Sequence, residues 1–183
     1  MEFKCNGKLI FDPVPVSGSA EKMHKDYWMI INIVGDDGED LGDYYRFLLS
    51  KRFGLRVQTS VTDREELTKY HYFGLKLQKS AWATHVSVCR GERVESWNYF
   101  KDKYNGLEVE FEYSINPRTS GLHWWLNAKC DKALDIREEM GLQREGKYGL
   151  HLTLGNPTFQ FEEKNEYLHE LYKNNLMNST LEI

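Results

Sequence analysis

The chain has 183 residues, which is enough for one domain or for two small lobes that share a hydrophobic core. Its formal net charge of −4 excludes a protein that coats long duplex nucleic acid, because that mode of binding needs a broad basic face. No apolar run approaches the length of a membrane-spanning helix, and charged residues interrupt the amino terminus where a signal peptide would be apolar.

The sequence of the first third of the chain predicts three structural segments. They are an irregular leader at about 1–26, a central strand at 27–34 and an amphipathic helix at 41–53. Pro13 and Pro15 mark the leader, for which we expect at most a short edge strand at 8–11. Gly54 lies where a helix commonly ends.

The remaining chain predicts further strands and helices. They are a short helix at 62–69, strands at 70–78, 83–89, 107–114 and 122–128, a helix at 131–140, a strand at 147–157, a helix at 162–174 and a frayed tail at 175–183. Glu108, Glu110 and Glu112 alternate with apolar residues, so this strand should carry an acidic face directed away from any phosphate site. A strand, a helix and a histidine-bearing strand follow one another in both halves, which indicates two similar lobes.

The strand at 147–157 places one histidine and one hydroxyl two residues apart among aliphatic residues. Successive side chains of a strand point to opposite faces, so His151 and Thr153 share one face, roughly 7 Å apart. Leu150, Leu152 and Leu154 share the other face, which should be the packed one.

The same pattern occurs earlier in the chain, where His85 is followed by an apolar residue, Ser87 and another apolar residue. Two such tetrads are expected by chance in under about one per cent of chains with this composition, although short motifs carry a false-positive risk. Either tetrad alone is better explained by a structural histidine. Together they predict one active site built from two half-sites.

The tetrads His85-Val86-Ser87-Val88 and His151-Leu152-Thr153-Leu154 resemble the paired motifs of the two-histidine (2H) phosphoesterase superfamily. This resemblance implies an α+β bilobal fold, in which two pseudo-symmetric lobes of mainly antiparallel sheet, with flanking helices, surround a central groove. The whole chain would form one such domain, with motif one at 85–88 and motif two at 151–154. Thr84 stands where many relatives have proline, and Ser87 replaces the commoner threonine.

Two imidazoles suit the cleavage of a phosphodiester, because histidine can act as a neutral base or a charged acid near neutral pH. We therefore expect His85 and His151 to transfer protons, and Ser87 and Thr153 to donate hydrogen bonds to the phosphoryl oxygens. Neither motif contains a carboxylate, so no metal and no cofactor are predicted.

Aromatic and basic residues near the motifs are candidates for substrate binding. Bases would stack on aromatic rings and phosphates would meet cations. The candidates are Trp97, Tyr99, Lys101, Trp124, Trp125, Lys147 and Arg90. Adjacent strand residues face oppositely, so only one of Trp124 and Trp125 should line a groove.

The predicted substrate is a small nucleotide, and within the superfamily the bacteriophage anti-CBASS enzymes that destroy cyclic oligonucleotide signals are the favoured branch. The alternatives are a phosphodiesterase for RNA ends with 2′,3′-cyclic phosphate or for 2′,5′-oligoadenylate, a non-catalytic nucleotide sponge, and a phage structural or host-interaction protein with accidental tetrads. The three scattered cysteines form no Cys-x-x-Cys pair and favour a reducing cytoplasm, which would be the host's for a viral protein. The sequence does not define the oligomeric state.

Overall fold

The structure is a computed structural model that describes residues 2–15, 26–33, 37–52, 55–60, 69–73, 77–78, 82–119 and 123–157. Its strands are β1 (Glu2–Phe11), β2 (Trp28–Ile33), β3 (Leu55–Ser60), β4 (Lys69–Phe73), β5 (Leu77–Gln78), β6 (His85–Arg90), β7 (Glu108–Ser114), β8 (Arg118–Thr119), β9 (Trp124–Lys129) and β10 (His151–Pro157). The described helices are α1 (Asp37–Arg52), α2 (Trp97–Tyr104) and α3 (Asp131–Glu139).

Six antiparallel strands close into a barrel, so the fold is α+β. Around the barrel the order is β10, β6, β2, β1, β7 and β9, and β9 pairs again with β10 to complete the ring. β5 extends the sheet beside β10, and β8 lies beside β9. β3 and β4 form a separate two-stranded sheet.

The barrel interior is apolar because alternate residues of each strand point inward. Met29 and Ile31 come from β2, Val86 from β6, Leu126 from β9 and Leu152 from β10, and all five are fully buried in one hydrophobic cluster. The helices close this core, since α1 contributes Tyr45 and Leu49, α2 contributes Phe100 and Tyr104, and α3 contributes Ala133 and Ile136.

The first part of the predicted irregular leader is instead a ten-residue strand, β1, which pairs with β2 on one side and β7 on the other and is therefore not an edge strand; residues 16–25 of that leader lie outside the described residues. The first half of β1 has few buried side chains, so its own pattern gives little strand signal. Backbone pairing with strands on both sides stabilises β1, and Lys4 pairs with Glu110 at 2.7 Å and Lys8 with Glu108 at 3.3 Å at its exposed surface.

Other predicted elements are confirmed with shifted ends. α1 begins at Asp37, and the strand predicted at 147–157 begins only at His151. The strand predicted at 70–78 is divided between β4 and β5. α2 was not predicted. The helix predicted at 62–69 falls almost wholly outside the described residues, and the helix at 162–174 and the tail at 175–183 lie outside them entirely.

The same order of elements occurs twice in the barrel. If β3, β4, β5 and β8, which are not barrel strands, and α2, which lies between the two sets, are left aside, β1, β2, α1 and β6 are followed by β7, β9, α3 and β10. Each set is a sequence of strand, strand, helix and strand. β1 pairs with β7, and β6 pairs with β10, so the two sets meet at both seams of the ring. The two histidine motifs lie at the second seam.

Candidate active site

The two motifs lie side by side on neighbouring antiparallel strands. In the pairing of β6 with β10, His151 is directly opposite Ser87, and Leu152 is directly opposite Val86. Residues opposite each other in such a pair have Cα atoms about 4.5–5.5 Å apart and point to the same face of the sheet. Motif two thus places its histidine directly beside the hydroxyl residue of motif one.

The motif side chains face away from the barrel interior. Val86, Val88, Leu152 and Leu154 are buried in the core, so the alternate residues of the same strands lie on the outer face of the barrel. Ser87, His151 and Thr153 are half-buried there, whereas only 4% of His85 is exposed. The prediction that His151 and Thr153 share one face and three leucines the other is confirmed.

Both histidines are held by the same local hydrogen bond. His85 Nδ1 lies 3.0 Å from the carbonyl oxygen of Ala83, and His151 Nδ1 lies 3.1 Å from the carbonyl oxygen of Gly149. The accepting residues have nearly equal left-handed conformations, with φ of 61° at Ala83 and 62° at Gly149. Such a conformation costs a residue other than glycine about 1–2 kcal/mol, so the surrounding structure must hold Ala83 in it.

This hydrogen bond determines which ring nitrogen is available for chemistry. A carbonyl oxygen only accepts, so Nδ1 must carry the hydrogen in both His85 and His151. In the neutral imidazole, Nε2 then has a free lone pair, and in the charged imidazolium Nε2 carries the transferable proton. Each histidine is therefore oriented to accept or donate a proton at Nε2.

Burial makes the two histidines unequal. The pKa of His85 is lowered from 6.5 to about 4, mainly because burial disfavours the charged imidazolium; the hydrogen bond to Ala83 raises this pKa, and electrostatic interaction with His151 and Arg90 lowers it. At neutral pH His85 is consequently uncharged, which is the state that a general base requires.

A tryptophan lies edge-on to each histidine. The Trp28 ring centroid is 6.3 Å from that of His85, and the Trp125 ring centroid is 6.5 Å from that of His151. The guanidinium carbon of Arg90 lies 4.4 Å from the Trp28 ring centroid. Arg90, one of the predicted phosphate-binding residues, thus lies near His85 and contributes to its electrostatic environment.

Trp28 was not among the predicted site residues. It is 1% exposed, and its indole nitrogen has no hydrogen-bond partner within the part of the chain that the structure describes. The sequence indicates part of this arrangement, because alternation within the predicted strand at 27–34 places Trp28 and Asn32 on the same face. The structure adds that this strand pairs with motif one and that Asn32 lies opposite His85.

The predicted binding residues Trp97, Tyr99 and Lys101 lie together on α2. The Trp97 indole N–H donates to the Asp12 carboxylate at 3.2 Å, and Lys101 Nζ pairs with the same carboxylate at 2.9 Å. Trp97 also contacts the rings of Phe11 and Tyr27, whereas Tyr99 is exposed. The described contacts of Trp97 and Lys101 therefore join α2 to the chain around Asp12.

The remaining predicted binding residues separate clearly. Trp124 is fully buried in the barrel core, so the prediction that it binds substrate is wrong. Of the two tryptophans, only Trp125 lies on the same face as His151. Trp125 Nε1 donates to Asn127 Oδ1 at 3.2 Å. Lys147 is exposed in the segment before β10, with Nζ 5.2 Å from the ring centroid of Tyr148.

Two arginines that sequence reasoning did not single out contact the motif strands. Arg46 Nη1 donates to the carbonyl oxygen of Leu154 at 3.0 Å, and Arg137 Nη1 donates to the carbonyl oxygen of Val88 at 2.7 Å. Each bond joins residues far apart in the chain, so no local pattern indicates it.

Comparisons of the chain with protein-family models, with curated proteins and with solved structures found no match. Across residues 2–157, in the segments that the structure describes, no group of three or more His, Cys, Asp or Glu side chains is placed to hold a metal ion. No described helix is long and apolar enough to cross a membrane.

Proposed function

We propose that this protein is a metal-independent phosphodiesterase of the two-histidine type, which cleaves a nucleotide phosphodiester by acid-base catalysis from His85 and His151. The observation that carries the proposal is the antiparallel pairing of the two motifs, with His151 directly opposite Ser87. Motifs that arose by accident, 66 residues apart, have no reason to become adjacent on one face with equally oriented histidines.

The repeated order of strand, strand, helix and strand supports the corresponding fold proposal. Each repeat would form one lobe of a bilobal 2H-like domain, and each lobe contributes one motif strand to the seam between β6 and β10. An approximate two-fold relation between lobes accounts for the matching hydrogen bonds of Ala83 with His85 and of Gly149 with His151.

In the proposed reaction His85 is the base and His151 is the acid. Nε2 of the neutral His85 takes a proton from the attacking water while a bond forms between the water oxygen and phosphorus. The bond from phosphorus to the leaving oxygen breaks, and Nε2 of the protonated His151 gives that oxygen its proton. Burial disfavours charge on His85 before the reaction, which assigns the initially charged role to the half-buried His151.

The hydroxyls of Ser87 and Thr153 would stabilise the charge that develops on the non-bridging phosphoryl oxygens. They lie on the histidine face, one from each strand, so a phosphate placed across the seam could contact both. Donors held before the reaction need no reorganisation as charge develops.

We propose a small nucleotide as the substrate, with a cyclic oligonucleotide signal of anti-phage defence as the favoured case. The acidic net charge of −4 disfavours long nucleic acid, while the Arg90 guanidinium on Trp28 provides a local cation near His85. Trp125 beside His151 offers an aromatic surface for a base. We propose the cytoplasm as its site of action.

The direct test incubates purified protein in EDTA with cyclic di- and trinucleotides, 2′,5′-oligoadenylates and RNA ends bearing 2′,3′-cyclic phosphate, and identifies products by mass. We expect cleavage of at least one substrate at a rate that chelation leaves unchanged. Activity that EDTA abolishes and added zinc or manganese restores would refute metal independence. Tight binding without cleavage of any substrate would instead support the sponge.

A further inference from the structure

Arg46 and Arg137 make matching contacts with the two motif strands. Arg46 projects from α1 to the carbonyl oxygen of Leu154, and Arg137 projects from α3 to the carbonyl oxygen of Val88. Leu154 is three residues after His151, and Val88 is three residues after His85. Both accepting residues come directly after the hydroxyl residue of their motif.

The two contacts cross between the repeats. α1 precedes β6 in the chain, yet Arg46 binds β10, and α3 precedes β10, yet Arg137 binds β6. Each helix therefore holds the motif strand of the other repeat. The crossing means that the relative position of the two motifs depends on both arginines.

Neighbouring acids and burial restrict both guanidinium groups. Arg46 pairs with Asp43 at 2.8 Å, and its side chain is 10% exposed. Arg137 makes two hydrogen bonds of 2.8 Å to the Glu92 carboxylate, and its side chain is fully buried. Charge-assisted bonds with this geometry hold a donor in one direction, so the carbonyl that it contacts is also fixed.

Arg46 also lies close to the first motif. A Cβ atom added at Gly42 would lie 2.8 Å from both terminal nitrogens of Arg46 and would overlap Oγ1 of Thr84. Thr84 immediately precedes His85, so the Arg46 guanidinium lies close both to the start of motif one and to the end of motif two. Glycine at position 42 is what allows this close approach.

We propose that Arg46 and Arg137 are a pair of positioning residues that align the two catalytic hydroxyls across the seam. By fixing the peptide group that follows Leu154 and the one that follows Val88, each arginine holds the strand one residue beyond the hydroxyl and so restricts the direction of that hydroxyl on the opposite face. The inference rests on the proposed phosphodiesterase function. It predicts that Arg46 orients the hydroxyl of Thr153 and that Arg137 orients the hydroxyl of Ser87. A general stabilising role would predict no such specific pairs.

The test is a double-variant cycle on Arg46, which is the less buried of the two. Arg46→Met removes the donors with little change in side-chain length, and we expect kcat to fall roughly 10- to 100-fold with KM within about 2-fold. Combined with Thr153→Val it should lower kcat no further than about 3-fold below Thr153→Val alone, since both changes remove one function. Combined with Ser87→Ala it should lower kcat clearly below Ser87→Ala alone, because Arg46 and Ser87 are assigned to different hydroxyls.

Arg144→Met is the matched control, because Arg144 pairs with Asp135 and Glu138 at the surface and its side chain makes no described contact with a motif strand. It should leave kcat unchanged. If Arg46→Met does not fold, Arg46→Lys replaces it, since a single ammonium cannot reproduce the guanidinium geometry. Equal multiplication with Thr153→Val and Ser87→Ala, or an unchanged kcat in a folded Arg46 variant, would overturn the proposal.

Absence of turnover by the unmodified protein on the whole substrate panel would refute the proposed function separately. Positioning would then be read from amide hydrogen exchange in the folded Arg46 and Arg144 variants. We expect faster exchange confined to residues 151–155 in the Arg46 variant alone. Uniformly faster exchange, or no change in this segment, would contradict alignment of the motif strand by Arg46.

Discussion

His151 lies directly opposite Ser87 across the seam between β6 and β10, so the histidine of one motif neighbours the hydroxyl of the other. The two motifs are consequently adjacent on one face of the sheet, as the proposed single site requires. A phosphate at this seam would contact groups from both strands at once. Variants of either strand should therefore affect a single chemical step.

Removal of either hydroxyl should slow the reaction more than it weakens binding. Ser87→Ala and Thr153→Val should each cost about 2–4 kcal/mol of transition-state stabilisation if the hydroxyls act on developing negative charge. The expected signature is a lower kcat with a nearly unchanged KM, measured by steady-state kinetics. A rise in KM at constant kcat would show that these hydroxyls bind ground state and transition state equally.

Burial of His85 should make stability depend on pH. The pKa of His85 is about 4 in the folded protein and 6.5 without burial, so the unfolded chain binds more protons between these values. The stabilisation is complete above about pH 6.5 and is lost as pH falls toward 4, with an upper limit of about 3 kcal/mol. Denaturant titrations across this range should show a smaller loss in a His85→Gln variant. Identical pH dependence in both proteins would exclude a lowered pKa at His85.

The equal conformations of Ala83 and Gly149 predict the effect of Gly149→Ala. A Cβ atom at residue 149 would meet no heavy atom within 4 Å, so the cost comes from the left-handed φ alone. We expect a loss of about 1–2 kcal/mol in unfolding free energy and a retained kcat, because Ala83 already performs the same role with a side chain. Thermal melts and turnover measurements check both parts. A folded Gly149→Ala variant without activity would show that the two half-sites are not equivalent.

The adjacent tryptophans of β9 provide a matched pair. Trp124→Ala should lower the unfolding free energy by about 3–5 kcal/mol, since this side chain fills the barrel interior. Trp125→Ala should instead weaken substrate binding by roughly 1–3 kcal/mol with little change in stability, if Trp125 stacks a base. Calorimetric binding together with thermal melts separates the two effects. Normal binding by a folded Trp125→Ala variant would exclude stacking at this position.

The sequence predicted the parts of the site that depend on local alternation. The period of two in β10 assigned Leu150, Leu152 and Leu154 to one face and His151 and Thr153 to the other, and the structure has this division. The α+β class and most elements were accessible from periodicity in the same way.

Features that depend on distant partners could not be predicted. β1 has weak alternation in its first half and is incorporated by pairing with β2 and with β7, which lies far away in the chain. Ala83 has a left-handed φ although it is not a glycine, so its sequence does not indicate this conformation. No local pattern connects Arg46 with Leu154. For α2 a signal did exist, since Trp97, Phe100 and Tyr104 recur at helical spacing and pack inward.

The most direct test of the central claim is kcat for His85→Ala and His151→Ala, measured beside thermal stability, with His123→Ala as the histidine control outside both motifs. We predict that each motif variant folds and loses at least roughly 10²- to 10⁴-fold in kcat, the usual contribution of a positioned acid or base. The double variant should be little worse than the poorer single one, because both groups act in one transition state, and His123→Ala should retain full turnover. Full activity in a folded His85 or His151 variant would contradict catalysis by the two histidines.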